Sequence, residues 1–183
     1  MTKQHMLINF IAFQFGWFAC VLGAANGLPL LGPVVAVLVV ILHLKLARQP
    51  RRELSLVMVA GVIGAVFDSA LVASGWLIYP NGILLAGTAP YWIIAMWLLF
   101  ATTLNVAMRW LRGNALLAFV LGAIAGPMSY WGGARLGALE FASPAQGMIA
   151  LSIGWALMMP LLMHLSKRLD GIQPQLEAGY QNA

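Results

Sequence analysis

The distribution of basic residues is the feature that most constrains what this chain can fold into. Six long apolar segments follow one another, at 6–25, 30–47, 54–75, 90–111, 114–133 and 146–166. A helix needs about 17–25 apolar residues to cross a hydrocarbon core of about 30 Å. Nine of the ten Lys and Arg residues fall on one side once the six segments are threaded back and forth. The pattern therefore predicts six membrane-spanning helices.

The same basic residues predict the orientation, because short loops rich in Lys and Arg stay cytoplasmic. The nine residues on the basic side are Lys3, Lys45, Arg48, Arg51, Arg52, Arg109, Arg112, Lys167 and Arg168. Only Arg135 falls on the other side. We therefore expect an all-α polytopic transmembrane bundle of six helices with both termini cytoplasmic. Residues 1–183 are expected to form a single integral-membrane domain with a polar cytoplasmic tail at 167–183.

Composition supports a membrane protein and argues against other classes. Hydrophobic residues make up 62% of the chain and charged residues 8%, against about 25% charged residues in soluble domains. The formal charge of +5 does not indicate nucleic-acid binding, because the basic residues mark span ends instead of clustering on a folded face. Attraction to anionic lipid headgroups is the expected consequence. We expect membrane lipids as partners and no nucleic acid, and the oligomeric state stays open.

The sequence contains no recognisable metal or cofactor motif. There is one Cys, and no Cys/His grouping has the spacing of metal ligands. The chain also lacks a GxGxxG motif, a P-loop and a Ser/His/Asp arrangement. We therefore expect no metal and no cofactor. An enzyme of this kind would need Asp68 as its acid/base or the cofactor of a partner protein.

Small residues indicate how the helices pack. They recur every four positions in the first span (Ala12, Gly16, Cys20, Ala24), the third (Gly61, Ala65, Ser69, Ala73) and the fifth (Ala118, Gly122, Gly126). Helices in lipid associate through close backbone approach, which such stripes permit. The stripes predict a bundle centred on the first, third and fifth spans.

Asp68 is the residue that an ordinary lipid-facing span does not explain. A charged Asp near the centre of a membrane helix costs about 2.5–3.5 kcal/mol on the insertion scale. Intramembrane acids usually face a bundle interior or a water-filled cavity. Two interpretations therefore stay open, a hydrogen bond that holds a neighbouring helix or a functional site that lines a cavity.

The fifth span offers the best partners for Asp68. Ser129 and Tyr130 carry hydroxyl groups at roughly the same depth. Pro127, with glycines on both sides, predicts a break in the helix that turns these hydroxyls toward Asp68. We predict that Asp68, Ser129 and Tyr130 converge in a pocket in the outer half of the bundle.

Other polar and aromatic residues complete this candidate site. Gln14 is expected near the floor of the pocket and Arg135 at its mouth, and Asn9 is a further polar candidate in the first span. Trp92 is expected in the aromatic belt at the membrane surface. Trp97, five residues deeper, is expected to face protein.

A family resemblance rests on polar residues, prolines and aromatics in fixed order. The residues that carry it are Asn9, Phe10, Gln14, Trp17, Asp68, Ser69, Pro90, Trp92, Trp97, 100–104, 126–130 and 136–138. Together they resemble a family of small bacterial inner-membrane proteins catalogued as domain of unknown function 2878. The resemblance covers nearly the whole chain. It implies a multi-pass protein of the bacterial inner (cytoplasmic) membrane and no established activity.

The resemblance also carries a functional hint. Members are often encoded beside cyclopropane-fatty-acid-synthase-like methyltransferases and flavoprotein oxidases, which implies a link to membrane-lipid (acyl-chain) modification and lipid-modifying enzymes as partners. Three function classes stay open. They are a protein that acts on lipid acyl chains or headgroups, a small transporter or lipid flippase, and a non-catalytic membrane scaffold.

Reporter fusions test the predicted topology. Green fluorescent protein fused after Arg112 should be fluorescent, because the charge asymmetry places this position in the cytoplasm. Alkaline phosphatase fused after Leu139 should be active, because this position lies outside. Exchanging the two reporters should abolish both signals. Fusions that report the same side for both positions would contradict the predicted topology.

Overall fold

The computed structural model describes residues 3–173, and most of them are helical. The elements are α1 (Lys3–Ala25), α2 (Leu31–Leu46), α3 (Pro50–Ala73), β1 (Leu77–Ile78), α4 (Tyr91–Leu104), α5 (Ala115–Arg135), β2 (Glu140–Phe141) and α6 (Pro144–Arg168). A short 3-10 turn at Arg109–Leu111 lies between α4 and α5. The predicted all-α fold class with six helices is confirmed. Residues 174–183 of the predicted cytoplasmic tail lie outside the described residues.

Four of the six helices, α1, α3, α5 and α6, are long and apolar enough to span a membrane. Helices α2 and α4 are apolar but shorter, with 16 and 14 residues. At 1.5 Å rise per residue they extend about 24 Å and 21 Å. Large apolar side chains such as Phe15, Val66 and Leu157 are exposed on the outside of the bundle. These features are those of a membrane protein.

The segments between helices gather at two ends of the bundle. Segments 26–30, 74–90 and 136–143 form the loop end, where β1 pairs antiparallel with β2. Segments 47–49, 105–114 and 169–173 form the basic end, where the backbone N–H of Gln49 donates to the carbonyl oxygen of Gly171 at 2.9 Å. The basic end also carries the basic residues that lie in the last turns of α2 and α6 and those that follow α2 and α4. Each helix therefore runs from one end to the other, antiparallel to its neighbour in sequence.

Helix α4 lies at the centre of the bundle and packs against α1, α2 and α3. Its side chains are buried around most of the helix, including Trp92, Trp97, Leu99 and Leu104. A helix that is apolar and buried all round belongs to a core. The predicted bundle centred on the first, third and fifth spans is therefore wrong, because the fourth holds that place.

The small-residue stripes do lie at helix contacts, but the three striped helices do not pack on each other through them. Gly16 of α1 lies against Leu99 of α4, and Gly61 of α3 lies against Leu98, which also belongs to α4. In α5, Gly122 lies against the backbone and side chains of α6. Small residues permit close approach without specifying which helix approaches. The stripes alone therefore could not identify the centre.

Helix α4 ends earlier than predicted. The fourth span was expected to continue to residue 111, but the α-helix stops at Leu104. The carbonyl oxygen of Thr103 accepts from the backbone N–H groups of Val106 and Met108 at 3.1 and 2.9 Å, which closes the helix end in a turn. The side chain of Asn105 then enters a polar network at the basic end. Polar contacts that only the folded chain provides therefore end this helix.

Helix α5 continues through Pro127 from Ala115 to Arg135. The expected break that would redirect the hydroxyl groups is therefore absent from this helix. The Ser129 hydroxyl donates to the carbonyl oxygen of Gly126 at 2.9 Å, within its own helix. Close packing of α5 on α6 supports the helix across the proline, whose ring removes one backbone hydrogen bond.

Trp92 holds the long loop at the loop end. Its side chain is completely buried, and its indole N–H donates to the carbonyl oxygen of Asn81 at 3.0 Å. The Asn81 side chain in turn donates to the carbonyl oxygen of Ala24 at 2.9 Å. Gly82 adopts a φ of 86°, which a side chain would disfavour, and lies against the Trp92 ring. Trp92 is therefore a buried anchor of the loop, and the expected place in a lipid-facing aromatic belt is wrong.

Candidate functional site

The carboxyl group of Asp68 lies at the meeting point of three helices and the long loop. It accepts hydrogen bonds from the Trp97 indole N–H at 2.7 Å, from the Tyr130 hydroxyl at 2.8 and 2.9 Å to its two oxygens, and from the Tyr79 hydroxyl at 3.1 Å. The Asp68 side chain is completely buried. We call these four residues the Asp68 cluster. Three donors from α4, α5 and the loop thus satisfy a carboxyl group of α3.

Local features of each element place these side chains. Asp68 lies in the last two turns of α3, near the loop end. Gly64, one turn earlier, gives room to the Trp97 ring, since a Cβ atom at this position would overlap that ring. Tyr79 follows β1 directly, so the strand pairing at the loop end fixes its position. Tyr130 points into the bundle from the buried face of α5.

A cavity of about 340 Å³ lies next to the Asp68 cluster. Trp97 and Tyr130 form part of its wall, but Asp68 and Tyr79 lie behind them and do not line it. The other lining residues come from four helices and the segment after α4: Phe13, Gln14, Trp17, Ile93, Met96, Phe100, Met108, Leu121, Gly122, Ala125, Gly126, Ser129, Trp155 and Met159. Most of this lining is apolar. The volume lies within the range of about 300–1,000 Å³ that small-molecule sites occupy.

Stacked aromatic rings form one wall of the cavity. Trp97 and Trp155 lie nearly parallel with ring centroids 4.7 Å apart, and Phe100 contacts both rings edge-on. Gly126 makes room for Trp155, because a Cβ atom at this position would overlap the indole ring. The predicted protein-facing position of Trp97 is confirmed, since only 3% of its surface is exposed.

The structure brings some of the predicted site residues together. Tyr130 contacts Asp68 directly, and Ser129 and Gln14 line the neighbouring cavity. Asn9 lies apart, with its side-chain amide donating to the carbonyl oxygen of Thr102 in α4 at 3.2 Å. Whether any of these residues has a functional role stays a prediction.

Arg135 does not take the expected position at the mouth of the pocket. It is exposed at the end of α5, with its guanidinium carbon 5.8 Å from the centre of the Trp131 ring. It is absent from the lining of the cavity. Because α5 is continuous, Arg135 stays on the outside with its neighbour instead of turning inward.

Two members of the Asp68 cluster, Tyr79 and Trp97, escaped the sequence analysis as partners of Asp68. Trp97 was expected to face protein, but no pattern specified which residue its N–H would meet. Tyr79 was attributed to neither helix nor site, because its position depends on pairing between strands of only two residues. Such short strands have no readable periodicity.

A second buried polar cluster lies at the basic end and was also missed. Glu53, completely buried in the first turn of α3, contacts His43 of α2 at 2.7 Å. Its other oxygen accepts from the Asn105 side chain at 2.5 Å and from the backbone N–H of Gly171 at 2.6 Å. Asn105 also accepts a hydrogen bond from Arg112. His43 lies near the predicted cytoplasmic end of the second span, a position that indicates only an interfacial residue.

Asp170 fixes the segment that follows α6 to this cluster. Its carboxylate contacts Arg109 at 2.6 Å and Arg112 at 2.8 Å. Burial raises the pKa of the Asp170 carboxyl, but hydrogen bonds from Arg112, from the backbone N–H of Gln173 and from Arg109 outweigh this effect and hold the pKa below its ordinary value of 3.8. Within residues 3–173, no group of three or more His, Cys, Asp or Glu side chains is close enough together to hold a metal ion.

These features define the class of protein: a small all-α membrane protein with a buried carboxyl cluster beside an apolar cavity. The chain belongs to the family described as Protein of unknown function (DUF2878), whose sequence profile matches residues 6–161. This match confirms the resemblance seen in the sequence. No curated protein and no solved structure matches the chain. The Asp68 cluster lies within the matched range, whereas Asp170 lies beyond it.

Replacing Asp68 should destabilise the protein. Asp68→Leu leaves three buried donors without an acceptor, and each unsatisfied group costs about 1–3 kcal/mol. Asp68→Asn keeps the shape and one carbonyl acceptor, so the loss should be smaller. Thermal unfolding of the detergent-solubilised protein, followed by size-exclusion chromatography, measures both. The exposed Glu140→Leu is the control, and an Asp68→Leu protein as stable as wild type would contradict the structural role.

Acid should weaken the contacts of Asp170. Its folded-state pKa is lowered, so its contribution to stability is present above pH 3.8 and is lost as the pH falls through the folded-state value. The difference in unfolding temperature between wild type and Asp170→Asn should therefore be largest near neutral pH and shrink below pH 3.8. Glu140→Gln, which changes an exposed carboxylate, should show little difference at either pH. A constant difference for Asp170→Asn would show that the carboxylate charge contributes nothing.

Proposed function

We propose that the protein binds an acyl chain of a membrane lipid in the cavity beside the Asp68 cluster and serves membrane-lipid modification in the bacterial inner membrane. The observation that carries this proposal is the cavity itself, a largely apolar space of about 340 Å³ in an apolar bundle. Apolar lining with a few polar groups is typical of ligand sites. A ligand for such a space must itself be largely apolar.

The position of the cavity supports entry from the bilayer. It lies between α1 and α4 on one side and α5 and α6 on the other. α5 packs mainly on α6, and α1 packs on α2 and α4, so α1 and α5 border the cavity without packing extensively on each other. Half-buried side chains of α1, Phe13, Gln14 and Trp17, lie along this border. A lipid chain can therefore reach the cavity sideways, between two helices, without passing through water.

The geometry supports a positioning role for the Asp68 carboxyl within this function. Asp68 lies behind Trp97 and Tyr130, which themselves form the wall of the cavity. A general acid or base must come within hydrogen-bond reach of the group that reacts. The Asp68 carboxyl is hydrogen-bonded to Tyr79, Trp97 and Tyr130 and does not reach the cavity. It therefore orients two residues that contact the ligand, and chemistry on the bound chain would come from a partner lipid-modifying enzyme.

The two alternatives remain as outcomes of the test. A transporter or flippase was supported by buried polar groups and by an expected break in the fifth span, but α5 is continuous through Pro127. A scaffold that binds no ligand would not require the cavity.

The proposed orientation has both termini cytoplasmic, and it rests on the basic residues at one end of the bundle.

Photocrosslinking tests acyl-chain binding directly. A palmitic acid analogue with a mid-chain diazirine, added to the protein in lipid nanodiscs, should label cavity residues such as Met96 and Met159, and excess stearate should suppress this labelling. Ala125→Phe, which places a large ring in the cavity, should reduce it severalfold. Ile124→Phe, at the neighbouring lipid-facing position, should not. Labelling confined to lipid-facing residues would contradict the proposal.

Lipid analysis of a strain without the protein separates the function classes. Altered acyl-chain composition, restored by wild type and not by Ala125→Phe, supports the role in lipid modification. Unchanged lipids with altered solute uptake would favour the transporter. Unchanged lipids and unchanged uptake, with loss of a partner enzyme from the membrane, would favour the scaffold.

A further inference from the structure

The apolar cavity contains two hydrogen-bonding groups that the protein leaves unused. The indole N–H of Trp155 is buried and has no hydrogen-bond partner among the described residues. The Gln14 side chain, which is half-buried and comes from α1, makes no hydrogen bond within the same part of the chain. Both residues line the cavity. A buried donor without an acceptor is unfavourable, so each such group in a folded protein needs an explanation.

The other polar groups of the cavity are already satisfied. The Tyr130 hydroxyl and the Trp97 indole N–H donate to Asp68, and the Ser129 hydroxyl donates to the carbonyl oxygen of Gly126. Trp155 stacks on Trp97, and its N–H lies near the Tyr130 hydroxyl without making a hydrogen bond to it. The cluster around Asp68 therefore uses its donors completely, while Trp155 and Gln14 remain available to a ligand.

The depth of these two groups restricts the ligand. Gln14 lies in the middle of α1, and Trp155 lies in the middle of α6. An ester carbonyl of an ordinary membrane lipid lies near the headgroup, at the ends of such helices. An acceptor that reaches the middle of the bundle must instead belong to the acyl chain itself.

We propose that the cavity prefers an acyl chain that carries an oxygen substituent within the chain, held by the Trp155 indole N–H and the Gln14 amide. The inference rests on the proposed acyl-chain binding and deepens it to a substrate class. A hydroxyl or keto oxygen accepts from the Trp155 N–H, and the Gln14 amide can donate to or accept from the same group. The methylenes on both sides contact the aromatic and Met side chains of the wall.

Competition binding with defined probes tests this preference. The protein in nanodiscs of dioleoyl phosphatidylglycerol is labelled with the diazirine fatty acid, and 10-hydroxystearate, stearate and decylubiquinone compete. Wild type should bind 10-hydroxystearate about tenfold more tightly than stearate, a ratio that corresponds to about 1.4 kcal/mol for one added hydrogen bond. Trp155→Phe keeps an aromatic ring beside Trp97 and removes the N–H, so this variant should bind 10-hydroxystearate and stearate equally tightly.

Two further variants keep the test decisive. Trp110→Phe removes an indole N–H from an exposed ring at the basic end and should retain the preference. Gln14→Leu should reduce the preference for 10-hydroxystearate over stearate. If Trp155→Phe does not fold, Gln14→Leu alone provides the test. Equal binding of hydroxystearate and stearate by wild type would overturn the inference and leave acyl-chain binding intact. Competition by decylubiquinone alone, or by no probe, would overturn both.

Discussion

The hydrogen bonds to Asp68 connect parts of the bundle that otherwise have little contact. A carboxyl group inside an apolar bundle is costly unless donors surround it. Its donors come from α4, α5 and the loop after β1, while α5 itself packs mainly on α6. Each such hydrogen bond contributes about 0.5–1.5 kcal/mol. At the loop end this side chain therefore helps to attach the α5–α6 hairpin to the remaining helices, together with the stacking of Trp155 on Trp97.

The cavity is a consequence of that attachment. Helices α1 to α4 pack around α4, and α5 and α6 pack on each other through glycines. Polar contacts join the two groups at both ends, through the Asp68 cluster at the loop end and through Arg112, Ser166 and Asp170 at the basic end. Between these contacts the cavity of about 340 Å³ separates part of the two groups. The space that remains faces α1 and is lined by apolar side chains, which makes it suitable for a lipid chain.

The two polar clusters have different relations to this space. The Asp68 cluster borders the cavity and includes two of its aromatic wall residues. A change there would therefore alter stability and, under the proposed function, acyl-chain binding. The second buried polar cluster, formed around Glu53 by His43, Asn105 and Gly171, lies at the basic end. It joins α2, α3, α4 and the segment after α6. None of its hydrogen-bonded side chains lines the cavity. It therefore fixes the bundle without contacting a ligand.

The sequence by itself determined the all-α class, the six helices, the membrane character and the importance of Asp68, because hydrophobicity and the cost of a buried charge act on each segment locally. The sequence also indicated Tyr130 as a partner of Asp68, because the depth of a residue in the membrane follows from its position along the helix. The tertiary structure decided that α4 is central, that α5 continues through Pro127, and that Tyr79 and Trp97 reach Asp68. It also decided that Glu53 and Asp170, 117 positions apart along the chain, belong to connected networks around Asn105 and Arg112. These outcomes depend on which helix faces which, and small residues and apolar surfaces permit many such pairings with similar energy.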